Sequence, residues 1–405
     1  MRREIALLPT SETNKKSIAL LIIGIIFISS TLRAPLTAVG PIISYIRDGL
    51  DISNVLAGFI TTIPLLAFAV ISPFAPRVAR RFGMEMTLFL AILLLAFGIA
   101  IRSTGTPFFL LFGTALIGIA IAFGNVLIPS FIKLKFPLQI GLLTGIFTVS
   151  MNLSAGIGAG ISYPIAEGSF LGWQGALGIW SILAIIACLV WVPQIKQRQQ
   201  IVLDVPDTTP IKAKSILKSP LTWSITLCMG FQSLIFYTTA AWIPEILQTQ
   251  GMEAGKSGWM LSTMQFSQLP MTFLIPILAG RMKDQRILVA VFSICYLIGF
   301  IGLLYGSLSL AILWMVFLGL GGGASFGLVM MFFSLRSRTP MEAADLSGVA
   351  QSIGYLLAAV GPVFFGFVHD TTGSWDTPIL LFILTVILLF FAGMHAGRDR
   401  FVSEG

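Results

Sequence analysis

Charge is what this chain has least of. Asp, Glu, Lys and Arg make up 10% of its 405 residues, against about 25% in an ordinary soluble domain, which excludes a conventional solvated surface. Acid is scarcer than base, 17 residues against 25 for a net charge of +8. No Asp or Glu falls at the middle of a hydrophobic run, so paired-carboxylate chemistry has no residues to use. Cysteines are few, and Cys188, Cys228 and Cys295 lie far apart inside apolar runs. That pattern has no metal-ligand spacing and reads as small core side chains. The two histidines, His369 and His395, stand at run ends. No nucleophile–base pair and no metal cluster is present, so the expectation is a protein that is not an enzyme and needs no cofactor or metal.

Apolar residues are what the chain has most of. They account for 56% of the sequence, with 40 Gly and 32 Phe, and the mean hydropathy is +0.93. A bilayer-spanning helix needs about 20 apolar residues. Twelve runs meet that need, at 18–46, 53–75, 86–103, 107–132, 138–166, 172–193, 219–248, 257–279, 287–306, 308–335, 345–369 and 375–396. The first is too long for the apolar region of a signal peptide and has no small-residue cleavage site, so it is expected to be retained.

The positions of Lys and Arg orient these runs, because cytoplasmic loops carry the excess of both. With the N-terminus inside, 21 of the 25 basic residues lie in cytoplasmic segments; Arg47, Arg102 and Lys256 lie outside and Arg33 lies in a run. The expectation is an all-α membrane protein of twelve transmembrane helices, both termini cytoplasmic, in a bacterial plasma membrane. The basic residues are scattered between runs, which argues against nucleic acid as a partner; the lipid bilayer is the partner implied. One longer polar stretch, Gln194 to Ser219, holds Pro206, Pro210 and five Lys or Arg. It divides the chain into 1–193, a linker at 194–218, and 219–405.

An internal repeat supports that division. A shift of 203 residues carries Phe123-Gly124 onto Phe326-Gly327, Lys133 onto Arg336, Lys135 onto Arg338, Gly145 onto Gly348 and Gly158 onto Gly361. The same shift places Asn152 on Tyr355 and Arg33 on Phe236. The charge therefore exists in one half only.

Twelve runs, a parallel six-plus-six repeat and a basic central loop resemble the major facilitator superfamily. Its loop signature between spans two and three is half present: Arg77, Arg80, Arg81 and Gly83 remain, but Arg80 stands where the signature has Asp. The second copy keeps Gly280 and Asp284. The stretch Leu32-Arg33-Ala34-Pro35-Leu36-Thr37-Ala38-Val39-Gly40-Pro41 is similar to helix one of the cyanate permease and nitroimidazole transporter branch. The resemblance implies the major facilitator fold, two pseudo-symmetric six-helix halves, a loop at 77–83 and 280–284 that changes with conformation, and a solute site near mid-membrane.

Arg33 is the charged side chain closest to the centre of a run. A charge at that depth costs from about 3 to more than 10 kcal/mol, and the residue is too far from either end to snorkel out. A transient anion is the partner its position calls for. Thr37 lies one turn on, on the same face. Asn152, Tyr237, Gln265, Gln268, Gln351 and Tyr355 fall at mid-depth in other runs and complete the candidate site: an arginine fork with neutral donors suits a small anion. Hydroxyl and amide side chains also simply join helices, and Asn125 and Gln232 are read that way. The glycines at 319 and 321–323 precede no Lys-Ser/Thr and allow close helix approach.

Glu245 and His369, near outer ends, are the candidates for proton coupling. The expected function is a secondary transporter of a small anionic solute by alternating access, working as a monomer, with protons as a further partner. The rivals are an efflux pump for neutral or cationic multidrug or nitroaromatic compounds, and a sensor that keeps the fold without turnover.

Overall fold

Backbone amides buried in lipid must be satisfied within the segment, which leaves helices as the available form for long apolar runs. The protein is described by a computed structural model covering residues 12–52, 54–168, 170–196 and 216–404. Its elements are α-helices and short 3-10 turns, with no strand among the described residues. Twelve rods run back and forth. The first is broken into α1 (Glu12–Thr31), α2 (Ala34–Thr37) and α3 (Ile43–Leu50), and the second into α4 (Asn54–Ile71) and α5 (Ala75–Phe82). Next come α6 (Met84–Arg102), α7 (Pro107–Lys135) and α8 (Ile140–Gly168); α9 (Gly172–Gly178) and α10 (Trp180–Lys196) together make the sixth rod. The rest are α11 (Pro220–Thr249), α12 (Ala254–Arg281), α13 (Arg286–Tyr305), α14 (Ala311–Leu335), α15 (Pro340–Thr372) and α16 (Asp376–Ala396).

Ten rods are long and apolar enough to cross a membrane. The other two, α11 and α12, reach 30 and 28 residues but carry Gln232, Gln265 and Gln268 among their apolar positions. Local signals set the ends. Thr106 and Thr339 accept hydrogen bonds from the amides of Phe109 and Glu342, with proline next in line, the arrangement that starts a helix. Gly83, at φ +84°, turns the chain between α5 and α6 in a conformation that other residues resist.

Two segments differ from the sequence reading. The run 18–46 is not one helix, because Pro35 lacks an amide hydrogen and its ring crowds the preceding turn; the chain leaves the helix after Thr31 and restarts at Ala34. The basic segment after the second run is not a loop either. Residues Ala75–Phe82 form α5, with Pro76 in its first turn. The linker expected at 194–218 falls mostly on residues 197–215, which lie outside the described residues.

The halves use one packing plan. In the first half α6 packs on α7, α4 on α7, α1 on α8 and α1 on α10. In the second half α13 packs on α14, α12 on α14, α11 on α15 and α11 on α16, the same pairs displaced by six rods. Large apolar side chains such as Phe97, Leu189, Val363 and Phe391 are exposed outward, as a surface against lipid tails requires. The halves meet where α8 crosses α12 and α4 crosses α15.

Candidate functional site

The break in helix one presents Arg33. Its Nη1 donates to Asn152 Oδ1 on α8 at 3.3 Å. The guanidinium lies 5.0 Å from the ring centre of Phe236 and 4.9 Å from that of Phe326, so aromatic faces from α11 and α14 hold it on two sides. No ion pair to Arg33 occurs among the described residues. Rings and one amide soften the charge without neutralising it.

Around it Gln232, Ser233, Phe236, Tyr237, Gln268, Phe326 and Tyr355 close a cavity whose free volume is about 10 Å³, room for one water. Tyr237 and Tyr355 meet edge-on at 6.4 Å, and Phe68 lies 5.0 Å from Tyr355. Of the residues singled out from sequence, Arg33, Tyr237, Gln268 and Tyr355 line this space, and Asn152 touches it through Arg33. Gln265 stands behind, bonded to Gln268 Nε2.

Two other candidates bond to neighbouring helices outside this space, although Gln351 Oε1 is left without a partner. Thr37 Oγ1 donates to the Ala155 carbonyl at 2.9 Å and so joins α2 to α8. That approach needs Gly158, where a Cβ would sit 2.9 Å from the Ala34 carbonyl. Gln351 is fully buried and donates to the Asn125 carbonyl at 3.0 Å, a bond between halves. Glu245 is exposed at the far end of α11. His369 stacks on Trp375 at 4.2 Å and faces Asp370 at 3.2 Å. Neither lines the cavity.

Sequence reasoning passed over Phe236, Phe326 and Ser233 and read Gln232 as glue. The repeat held the signal for two of them. Phe236 is the register mate of Arg33 and Phe326 that of Phe123, so Arg33 meets its own counterpart in the other half. Asn152 and Tyr355, also mates, flank it on α8 and α15.

At the face where α1 begins and α16 ends, here the basic face, the halves are locked together. Arg80 Nη1 contacts both oxygens of Asp345 at 2.8 and 2.9 Å. Lys133 Nζ donates to the Ser334 carbonyl at 2.6 Å and to that of Ser337, at the C-terminal end of α14, where the helix dipole favours a cation. Gly280 meets Gly141 so closely that a Cβ would sit 3.2 Å from the Gly141 Cα. Thr148 donates to the Thr272 carbonyl and Ser334 to that of Pro129. Arg336, the register mate of Lys133, stays within its own half and donates to the carbonyls of Ala396 and Gly397 and to Gln285. Burial lowers its pKa from the usual arginine value. Asp284 pairs with Arg286 at 2.8 Å, and that hydrogen-bonded guanidinium holds its carboxyl below the usual carboxylate range. Arg77 and Arg81 lie over Phe74 and Phe82.

This architecture, two repeated halves around an arginine that has no ion pair among the described residues, is that of a membrane carrier. The chain belongs to the Major Facilitator Superfamily, whose profile matches residues 19–362. It is 47% identical to an "Uncharacterized transporter YycB" of Bacillus subtilis, with 95% of both chains covered. It is 40% identical to the "2-nitroimidazole transporter" of Escherichia coli over 96% of this chain and 98% of that one. To the "Cyanate transport protein CynX" of Escherichia coli it is 25% identical over 94% and 98%. In fold it resembles the proton:xylose symporter XylE, with a TM-score of 0.76 at 12% identity over 93% and 95% of the chains.

Proposed function

We propose that the protein is a secondary transporter that binds a small anionic solute against Arg33 and moves it by alternating access. The observation that carries this reading is an unpaired guanidinium at mid-depth, ringed by neutral donors and aromatic faces. A guanidinium fork matches a planar group with two oxygens. Charge-assisted hydrogen bonds in a dry site are worth about 1.5–3 kcal/mol each, enough to hold a carboxylate or an inorganic anion.

In the proposed cycle the basic face is cytoplasmic and is shut here by Arg80–Asp345 and by Lys133 on the end of α14. Solute arrives from the opposite side, meets Arg33 and is enclosed as α11 and α12 move inward. Release then requires both latches to part. Arg80 is 40% exposed and Asp345 13%; with one partner in water the pair is worth about 1 kcal/mol, a strength a thermally driven gate can break.

A second reading is favoured by the aromatic lining and by the name of a relative 40% identical to this chain. A nitro group also presents two oxygens in a plane, and a neutral nitroaromatic would stack among Phe236, Phe326 and Tyr237. A thermal-shift screen of purified protein separates the two, since ligands of the native state raise its melting temperature. The anion reading expects cyanate, nitrite or benzoate to stabilise the protein and to cross proteoliposome membranes. Stabilisation by 2-nitroimidazole alone would overturn it, and binding without flux would leave a sensor.

A further inference from the structure

The arginine that the charge pattern places outside, Arg102, turns back into the bundle. It ends α6 and is fully buried. Nη1 donates to the Pro35 carbonyl at 2.8 Å. Its Nε and Nη2 have no partner, and among the described residues no carboxylate pairs with it. Its backbone is fixed, because α6 and α7 touch there: a Cβ on Gly113 would lie 2.6 Å from the Arg102 nitrogen.

The carbonyl it grips is one the helix break sets free. The amide of Val39 bonds to Leu36, and that of Ala38 to Ala34, so neither takes Pro35. The turn α2 is tight, since Leu36 and Thr37 both donate to the Arg33 carbonyl. Arg33, the Pro35 carbonyl and the Thr37 hydroxyl thus move as one piece. That piece has two anchors on opposite helices, Arg102 from α6 and the Ala155 carbonyl on α8. Packing alone does not account for Arg102: an apolar side chain of similar volume fills a buried site with less desolvation than a guanidinium.

We infer that Arg102 is a positioning residue: through the Pro35 carbonyl it clamps α2 and thereby aims Arg33 into the cavity. The inference rests on the solute site proposed for Arg33, but the clamp itself is measurable without a solute. Spin labels placed by Gly40→Cys and Gly160→Cys, two positions with open space around the Cβ, report the spacing of the chain after α2 from α8. The background carries Cys188→Ala, Cys228→Ala and Cys295→Ala. In Arg102→Met the distance distribution should shift or widen at least twofold, and in Arg102→Lys, which keeps a donor of similar reach, it should return to the starting profile. Binding of cyanate and 2-nitroimidazole, measured in parallel, should weaken at least tenfold in Arg102→Met and stay within threefold in Arg102→Lys. If Arg102→Met cannot be purified, Arg102→Gln takes its place: its amide is too short to reach the carbonyl from the same backbone, and the same change is expected. An unchanged distance in either short or apolar variant overturns the clamp. A changed distance in a protein whose parent binds neither probe upholds the clamp and overturns the solute reading instead.

Discussion

At the scale of single residues, variants of Arg33 separate charge from shape. Arg33→Ala removes the guanidinium and leaves two phenylalanine faces and Asn152 behind. It is expected to insert and melt like the parent while solute affinity falls at least tenfold, the equivalent of about 1.4 kcal/mol out of the 1.5–3 available to a charged hydrogen bond. Arg33→Lys keeps the charge without the planar fork and should recover part of that loss; isothermal titration with benzoate checks both. Normal affinity in Arg33→Ala would return the neutral-compound reading to first place. Thr37→Val deletes the bond to Ala155 and touches no cavity wall. It should weaken binding about threefold, matching the roughly 0.6 kcal/mol of an interhelical hydrogen bond in a membrane, by loosening α2. Sequence alone exposed Arg33 because a charge at the middle of a run is costly; the structural alternative, a cap on backbone carbonyls near Pro35, is the rival reading. Arg102 was hidden because an arginine at the end of a run reads as a side chain in water. Its burial depends on the Pro35 carbonyl, left without an amide where α2 ends after Thr37 and the Val39 amide turns to Leu36, which only the packed structure displays. Phe236 and Phe326 were hidden for another reason: with 32 phenylalanines in the chain, none stands out without its neighbours.

At the scale of elements, the proposed cycle requires the basic face to open. Arg80 on α5 meets Asp345 on α15, a charge order reversed from the Asp of the superfamily's loop signature. Arg80→Asp places two carboxylates face to face and should open this face. A bimane label at Ser72→Cys, a buried position beside Gly348, should then react several-fold faster. Combining it with Asp345→Arg should restore the slow rate, a double-mutant rescue that a general loss of stability does not give. The elements themselves were largely legible in the sequence. Runs of apolar residues set the rods, Thr-Pro pairs their starts, and the 203-residue shift their pairing. The break in the first rod was less so, since Pro35 marks a weak point without saying where the chain resumes. The turn of helix at α5 was missed because basic residues next to a span read as loop.

At the scale of the whole molecule, orientation and charge movement are the open quantities. The distribution of Lys and Arg predicts that both termini and the linker are cytoplasmic. Single cysteines at Ser11, Thr208 and Ser403 should therefore resist a membrane-impermeant reagent applied to intact cells, and strong labelling at two of them would reverse the topology. Among the described residues the cavity around Arg33 is lined by amides, a hydroxyl, phenols and phenyl rings, and the proposed cycle with no coupled proton predicts that the solute's charge crosses uncompensated. One charge moved through 100 mV is worth about 2.3 kcal/mol, so an imposed potential should bias the distribution of a monoanion about tenfold for each 60 mV. Flux of benzoate in proteoliposomes clamped with potassium and valinomycin measures that slope, and a flat response would show a proton travelling with the anion.

The space around Arg33, as small as a single water, has a pharmacological consequence. In the proposed alternating-access cycle, closure on one side comes before opening on the other, which would make the pocket a gauge of size. A compound with the right head group and a bulky tail would seat its oxygens on the guanidinium and then prop α11 and α12 apart. Such a molecule would be bound and never delivered. Lengthening an anion by successive ring substituents should therefore turn a transported solute into a competitive blocker at a definite length.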